Sequence, residues 1–408
     1  MWKRIKQYIR ATNCEHNYKK VLKRIQGYPK NRKIRVLFYV SENSKWGYQS
    51  LYELFNSSTK FEVIVCVGIL NSVHNGYDKT RKNLEENYIF FKKQAMNVHY
   101  AYKNGQYINL KEFKPDIVFY EQKWDLPRLY RPYMVSEFAL TCYCSYGFEL
   151  FKNSWNYSWE FHKLLWKVFV ENEKNIEYYN TLLQSPPKNC IVTGWPKLDY
   201  YHNNIQSTFE WKNPDKFKII YAPHHSLSET SLQLATFRRN GKFILEWAKA
   251  HPETTWVFKA HPQFRFALLK DNIMTEEEID EYYKAWEEIG LVYNTGDYFN
   301  IFQSSDLMIT DCGSFLAEYL PTGKPLIRLT NKNSVELNPL GETIVSAYYK
   351  SEKEDNSDLN QVLKTIINDK NDYMYEQRQS IKEYIFGSDE SAALRIYKLF
   401  LLNLCRKE

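Results

Sequence analysis

The stretch MITDCGSFLAEYLPTGKPLI, residues 308–327, decides how the chain is read. An apolar run ends in Thr310-Asp311, a small polar turn Cys312-Gly313-Ser314 follows, and a helical pattern then runs to Pro321-Thr322-Gly323. A strand, a tight turn and a helix so close together make one βα unit of a parallel sheet. The unpaired N–H groups of a helix start suit a phosphate, Gly313 lets a backbone come close, and Ser314 is placed as the N-cap. The turn also reads as a plain αβ connection in which Ser314 caps its own helix.

The same pattern recurs on both sides. FKIIYAP (217–223), TTWVFKAHP (254–262), LVYNT (291–295) and KPLIRL (324–329) read as strands, with helices over 241–252 and 276–290 between them. Upstream, IRVLFYV (34–40), FEVIVCV (61–67) and PDIVFYE (115–121) alternate with helical stretches at 46–55 and 78–97. These alternations predict an α/β fold of two Rossmann-like domains facing a cleft, at 31–185 and 186–385. A basic helical N-terminal arm (1–30) precedes them and a C-terminal helix (386–408) follows. In open α/β sheets ligands bind beyond the carboxyl ends of strands. Unusual polar residues stand at those ends: Pro223-His224-His225, His261-Pro262, and Asp311 to Ser314.

Composition narrows the function classes. The chain has 408 residues, enough for two domains, with 44% hydrophobic and 25% charged residues, as in ordinary globular proteins. No apolar run reaches the ~20 residues that a membrane-spanning helix needs, and MWKRIKQYIR lacks the apolar core of a signal peptide. The seven cysteines are scattered without a CxxC pair, so neither a disulfide framework nor a zinc site is indicated. The net charge of +7 is concentrated in residues 1–35, where twelve Lys/Arg stand against Glu15 alone. Trp2, Ile5 and Ile9, then Tyr18, Leu22 and Ile25, recur among those cations at helical spacing. This arm suits an anionic membrane surface, or packing on its own protein. No nucleic-acid motif follows it.

His261 at a strand end can donate to a diphosphate and offset charge on a departing nucleotide. His224 and His225 can supply a base or a phosphate contact, although adjacent residues need not face the same way. Arg238-Arg239 offer a bidentate phosphate grip, and a solvated helix end explains them equally well. Tyr146, Trp155, Tyr157 and Trp159 could stack on sugars or belong to the core.

Taken in order and spacing, YAPHHS, FKAHP, SSDLMITDCGSFLAEYLPTGKP and VTGWPKLDYY (192–201) resemble the CDP-glycerol glycerophosphotransferase family of teichoic-acid and capsule polymerases. The resemblance implies a GT-B fold, a CDP-linked donor held mainly by the C-terminal domain, and neither cofactor nor catalytic metal. It implies that His261 lies near the donor diphosphate, that Asp311, Gly313 and Ser314 form the phosphate-contacting turn, and that Glu318 reaches a ribose hydroxyl. The family's Trp-His-Gly segment, whose His is the proposed base for the acceptor hydroxyl, has no histidine here: the comparable stretch is CYCSYGFEL (142–150). The base then falls to His225, His224, Glu149 or Tyr146, and a neutral His is the better base near pH 7.

The expectation is a transferase of cell-surface polymer synthesis at the inner face of the cell membrane. It moves a polyol-phosphate group from a CDP-linked donor to a saccharide or lipid-linked acceptor. The alternatives are a glycosyltransferase with a nucleotide-sugar donor and an inactive scaffold subunit of a capsule-assembly complex.

Overall fold

A computed structural model describes residues 2–71, 77–153, 156–183, 187–203, 207–228, 232–293 and 298–405. The chain divides into two compact units: Met1–Phe148 with Asn153–His202 and Asp389–Glu408, and Glu149–Lys152 with Asn203–Ser388.

The first unit is built on a seven-stranded sheet. Its strands are β1 (Ile34–Val40), β2 (Phe61–Val67), β3 (Val98–Tyr100), β6 (Ile117–Tyr120), β7 (Leu140–Cys144), β8 (Lys167–Val170) and β9 (Cys190–Val192). A small hairpin, β4 (Tyr102–Lys103) and β5 (Gln106–Tyr107), stands apart. All pairings in the large sheet are parallel, in the order β3-β2-β1-β6-β7-β8-β9. The second unit holds a six-stranded parallel sheet of β10 (Phe217–Ala222), β11 (Thr254–Phe258), β12 (Gly290–Val292), β13 (Leu307–Thr310), β14 (Leu326–Leu329) and β15 (Tyr349–Ser351). Its order is β12-β11-β10-β13-β14-β15. Counted along the chain within each sheet, the second runs 3-2-1-4-5-6, the Rossmann order, and the first runs 3-2-1-4-5-6-7, the same order with one strand added, with the reversal between the first and fourth strands in both. Parallel strands are covered on both faces, which is why β10, β11 and β13 read as nearly unbroken apolar runs and are buried.

The division falls between His202 and Asn203, later than the expected 185/186, because β9 extends the first sheet through its pairing with β8. The segment VTGWPKLDYY belongs to the first unit, where Asp199 caps the C-terminal helix (Ala392–Leu404). Its two oxygens accept from the N–H groups of Ala392 and Ala393, each at 2.8 Å. The C-terminal helix and the N-terminal arm therefore belong to the first unit and are not separate pieces. The arm is the helix Trp2–Gln26. Ala11, Cys14, Tyr18, Val21 and Ile25 are buried. The Tyr18 hydroxyl donates to Leu164 O at 2.6 Å, and Arg24 reaches Asp116 at 3.2 Å and Phe138 O at 2.8 Å. Its exposed large apolar side chains lie in the first turns, with Trp2 78% and Tyr8 68% exposed and Ile5 and Ile9 also exposed. Among the described residues no helix is long and apolar enough to cross a membrane.

In the second unit the helix Glu276–Ile289 starts with a capping box: Thr275 accepts from the Glu278 N–H while the Glu278 carboxylate accepts from the Thr275 N–H. The opening stretch forms β13, the helix Gly313–Glu318 and a turn of 3₁₀ helix, Leu320–Thr322. Gly323 stops it in the left-handed region at φ 70°, and the buried Arg378 donates its Nε to the Gly323 carbonyl at 2.9 Å.

Candidate active site

The carboxyl ends of β10, β11 and β13 bring three histidines together. Pro223 ends β10 and turns the chain so that His224 and His225 follow at once. Its carbonyl accepts from the His261 N–H at 3.1 Å, which fixes the loop after β11 against the loop after β10. The rings of His225 and His261 stack at 3.9 Å between centroids, and His224 lies 4.4 Å and 5.2 Å from them. One ring nitrogen of each lies within 4.8 Å of those of the other two.

Backbone donors set the state of two of these rings. The Ser226 N–H donates to His224 Nδ1 at 3.2 Å, and the Gln263 N–H donates to His261 Nδ1 at 3.1 Å. A nitrogen that accepts an N–H carries no proton, so the neutral ring carries it on Nε2. The Ser226 hydroxyl, 2.7 Å from His224 Nδ1, donates to the same nitrogen while its oxygen accepts from the Leu234 N–H at 2.9 Å. His225 Nδ1 is buried without a hydrogen-bond partner among the described residues. Burial holds all three imidazoles below their ordinary pKa. His224 is pushed far down by burial and by the other two rings, and His261 to about 4 by burial, His225 and Lys259. Near neutral pH the cluster therefore offers uncharged N–H donors.

Asp311 holds this cluster in place without lining it. It is 5% exposed, and its oxygens accept from the His224 N–H (2.6 Å), the Thr236 N–H (2.6 Å) and the Thr236 hydroxyl (2.8 Å). Burial raises its pKa to about 6 against those stabilising bonds. The expected phosphate contact from Asp311 is thus replaced by a staple between the ends of β10 and β13. Gly313 also has another cause. A Cβ there would meet the Phe151 ring at 2.3 Å, so the glycine makes room for an aromatic side chain. Ser314 is not the N-cap: Cys312 holds that position without a side-chain cap bond, and Ser314 Oγ lies 3.6 Å from Cys312 Sγ.

Glu318 is buried and hydrogen-bonded to the Tyr298 hydroxyl. It belongs to a pocket that the sequence reading missed, in which Lys259 Nζ sits 5.2–5.7 Å from the ring centres of Tyr293, Tyr298 and Phe315. A buried lysine two residues before His261 was visible in FKAHP, but the aromatic residues around it come from distant segments.

The two arginines do not act as a pair. Both lie in the first turn of the helix Phe237–Ala250, which starts earlier than expected. Arg239 is consumed by the carbonyls of Thr330, Ser351 and Glu352 at 3.1–3.4 Å. Arg238 is exposed and among the described residues reaches only the Asp271 carbonyl, at 3.5 Å. The Glu149 carbonyl accepts from Asn338 at 2.7 Å in the second unit, whereas Tyr146 lies in the first unit against Trp124 and Lys45. Tyr157 is a core residue stacked on the buried His162, Trp159 packs near Lys163, and Trp155 lies outside the described residues.

Comparison with known proteins agrees with this architecture. Residues 146–402, well over half of the chain, match the model of the family described as CDP-Glycerol:Poly(glycerophosphate) glycerophosphotransferase. No curated protein sequence matches the chain significantly. Among solved structures, a variant of the wall teichoic acid polymerase TagF soaked with CDPG is similar at TM-score 0.59 and 12% identity, covering 98% of both chains. A putative UDP-N-acetylglucosamine 2-epimerase from Listeria monocytogenes is similar at TM-score 0.59 and 16% identity, covering 92% of this chain and 98% of that one. The enzyme from Neisseria meningitidis bound to UDP-GlcNAc gives TM-score 0.57 at 14% identity over 91% of this chain and 100% of that one. The fold is of the GT-B class, two Rossmann-like units in one chain. The chain belongs to the CDP-glycerol:poly(glycerophosphate) glycerophosphotransferase family and is a transferase of polymer synthesis.

Proposed function

We propose that the protein transfers a glycerol-phosphate-like polyol phosphate from a CDP-linked donor to a hydroxyl of a saccharide or lipid-linked acceptor. The observation that carries this reading is the pair of neutral rings, His224 and His261, with Nδ1 tied to backbone N–H groups. Their Nε2–H groups are donors suited to a diphosphate, in a partly buried site where such bonds are stronger than in water. The same bonds make them poor metal ligands. Coordination through Nε2 would move the proton to Nδ1 and break both backbone bonds, so we infer chemistry without a metal at this cluster.

In the transfer the acceptor hydroxyl oxygen bonds to the distal phosphorus. The bond from that phosphorus to the bridging oxygen breaks, and CMP leaves with the electron pair. His225, whose Nδ1 has no partner among the described residues, is the candidate that takes the hydroxyl proton. His224 and His261 offset the charge that develops on the leaving nucleotide, and Ser314, half-buried just past the end of β13, is the candidate further phosphate contact. Asp311 and Pro223 position the cluster. The open first turns of the arm, with Trp2, Ile5 and Ile9 exposed among cations, would place the enzyme on an anionic membrane surface. Vesicle sedimentation tests that placement. Binding to anionic vesicles should be lost in Trp2→Ala/Ile5→Ala, and unchanged binding would overturn it.

The transfer reading is tested by thermal shift with CDP, UDP, GDP and ADP on the wild type and on His261→Ala. CDP alone should stabilise the wild type, by about 2.7 kcal/mol at a hundred times its Kd, and the variant should lose most of that gain. Selective stabilisation by UDP or GDP would replace this donor with a nucleotide sugar. No stabilisation by any nucleotide would leave the scaffold role.

A further inference from the structure

The histidine cluster occupies the β10 and β11 side of the chain reversal in the second sheet. On the other side of β13, at the carboxyl ends of β14 and β15, lies a recess of about 670 Å³ that the reading above does not use. Register pairing sets Arg328 between Thr310 of β13 and Lys350 of β15, and the Arg328 side chain lines this recess.

Arg328 is half-buried and makes no hydrogen bond or ion pair among the described residues. Burial lowers its pKa, and Glu342, the carboxylate acting against that trend, forms no ion pair with it. A guanidinium removed from water without a partner is costly, and its planar fork matches a phosphate. The walls reinforce this. Arg239 adds a second fixed positive charge, with its Nε buried and without an acceptor. Two of the acids on the walls are already neutralised, Glu336 by Lys152 at 2.6 Å and Glu352 by Lys350 at 2.5 Å. Lys332 stands exposed at the rim.

We propose that this recess is a phosphate-ester subsite, distinct from the histidine cluster, in which the Arg328 guanidinium grips one phosphate. The proposal deepens the transferase reading: the phosphate is either that of a free polyol phosphate or a phosphodiester of the acceptor polymer. Calorimetry on the full chain separates these sources, with sn-glycerol 3-phosphate, a poly(glycerol phosphate) oligomer and CDP as probes. Arg328→Gln should lose tenfold or more in affinity for both glycerol-phosphate probes while keeping its CDP affinity within about twofold, and Arg328→Lys should recover part of the loss. His261→Ala should show the reverse. Lys332→Glu, a surface change that leaves the core intact, should weaken the same two probes. An oligomer that binds much more tightly than the monomer assigns the subsite to the acceptor chain, and equal binding assigns it to a single phosphate.

Unchanged binding of both probes in Arg328→Gln and Lys332→Glu would overturn the proposal, as would wild-type protein that binds neither. An equal loss of CDP would return Arg328 to the nucleotide site and also overturn it. Binding of the glycerol-phosphate probes without any binding of CDP would sink the CDP-donor reading and leave the subsite standing.

Discussion

The two sheets share one strand order and place a buried carboxylate at the same step of it. Glu121 follows β6 and Asp311 follows β13, in each case the fourth strand of the order, next to the first. Each reaches back to the backbone just after the first strand, Glu121 to the Ser41 N–H and Asp311 to the His224 N–H, both at 2.6 Å. The difference lies in the second oxygen. Asp311 uses both of its oxygens, the second on Thr236. Glu121 collects Ser41 N–H, Ser41 hydroxyl and Glu42 N–H on Oε1 and leaves Oε2 buried without a partner among the described residues. The same topology therefore gives the same staple twice. In the second unit the stapled loop carries histidines, and in the first it carries Ser41 and Glu42 beside Lys45 and Gln122.

Removing the fully used carboxylate should have the largest effect. Asp311→Ala leaves three buried donors without an acceptor and should cost about 3 kcal/mol of stability in urea unfolding, along with nucleotide binding. A loss below about 1 kcal/mol would show that water replaces the staple. Gly313→Ala comes next. It forces a methyl into the Phe151 ring and should cost about 1–3 kcal/mol, part of which Phe151→Ala in the same chain should return.

Glu121 sharpens the comparison through pH. Burial raises its pKa to about 7, so folding favours the protonated acid. Its contribution is fully present below the unfolded pKa of ~4.3 and is lost as pH rises through about 7. For Asp311 the corresponding loss runs from ~3.9 to about 6. The melting temperature of the wild type relative to Glu121→Gln should therefore fall between about pH 4.5 and 7 and level off above. A flat difference would mean that Oε2 is solvated. Ser226→Ala should be the mildest change, about 1 kcal/mol, with a reduced CDP affinity because His224 loses one of its two Nδ1 donors.

Much of the fold was legible because parallel strands leave plain marks: β1 and β2 were read to the residue, and the helix of the capping box, expected over 276–290, runs Glu276–Ile289. The strands β7, β8 and β9 were not, because LTCYC, KVFV and CIV are too short and too mixed for periodicity to speak. That omission moved the expected division of the chain. At the site, His224, His225 and His261 were legible as polar residues where apolar runs stop. The role of Asp311 was not, because a staple and a ligand contact ask for the same residue type in the same place. The steric need for Gly313 was not legible for a different reason: its neighbour, Phe151, is distant in sequence. Lys259, just after β11, and Arg328, within β14, were passed over because each stands in an apolar stretch whose other residues mark a strand.

The most direct test of the site is ¹⁵N NMR of histidine-labelled protein near pH 7, assigned with His224→Asn and His261→Asn, with and without CDP. Without nucleotide, both rings should be neutral with the proton on Nε2, and CDP should raise the pKa of His261 from its low starting value while perturbing the Nε2–H signals of both. Rings protonated on Nδ1, or Nε2 signals that ignore saturating CDP, would contradict a diphosphate held by this cluster.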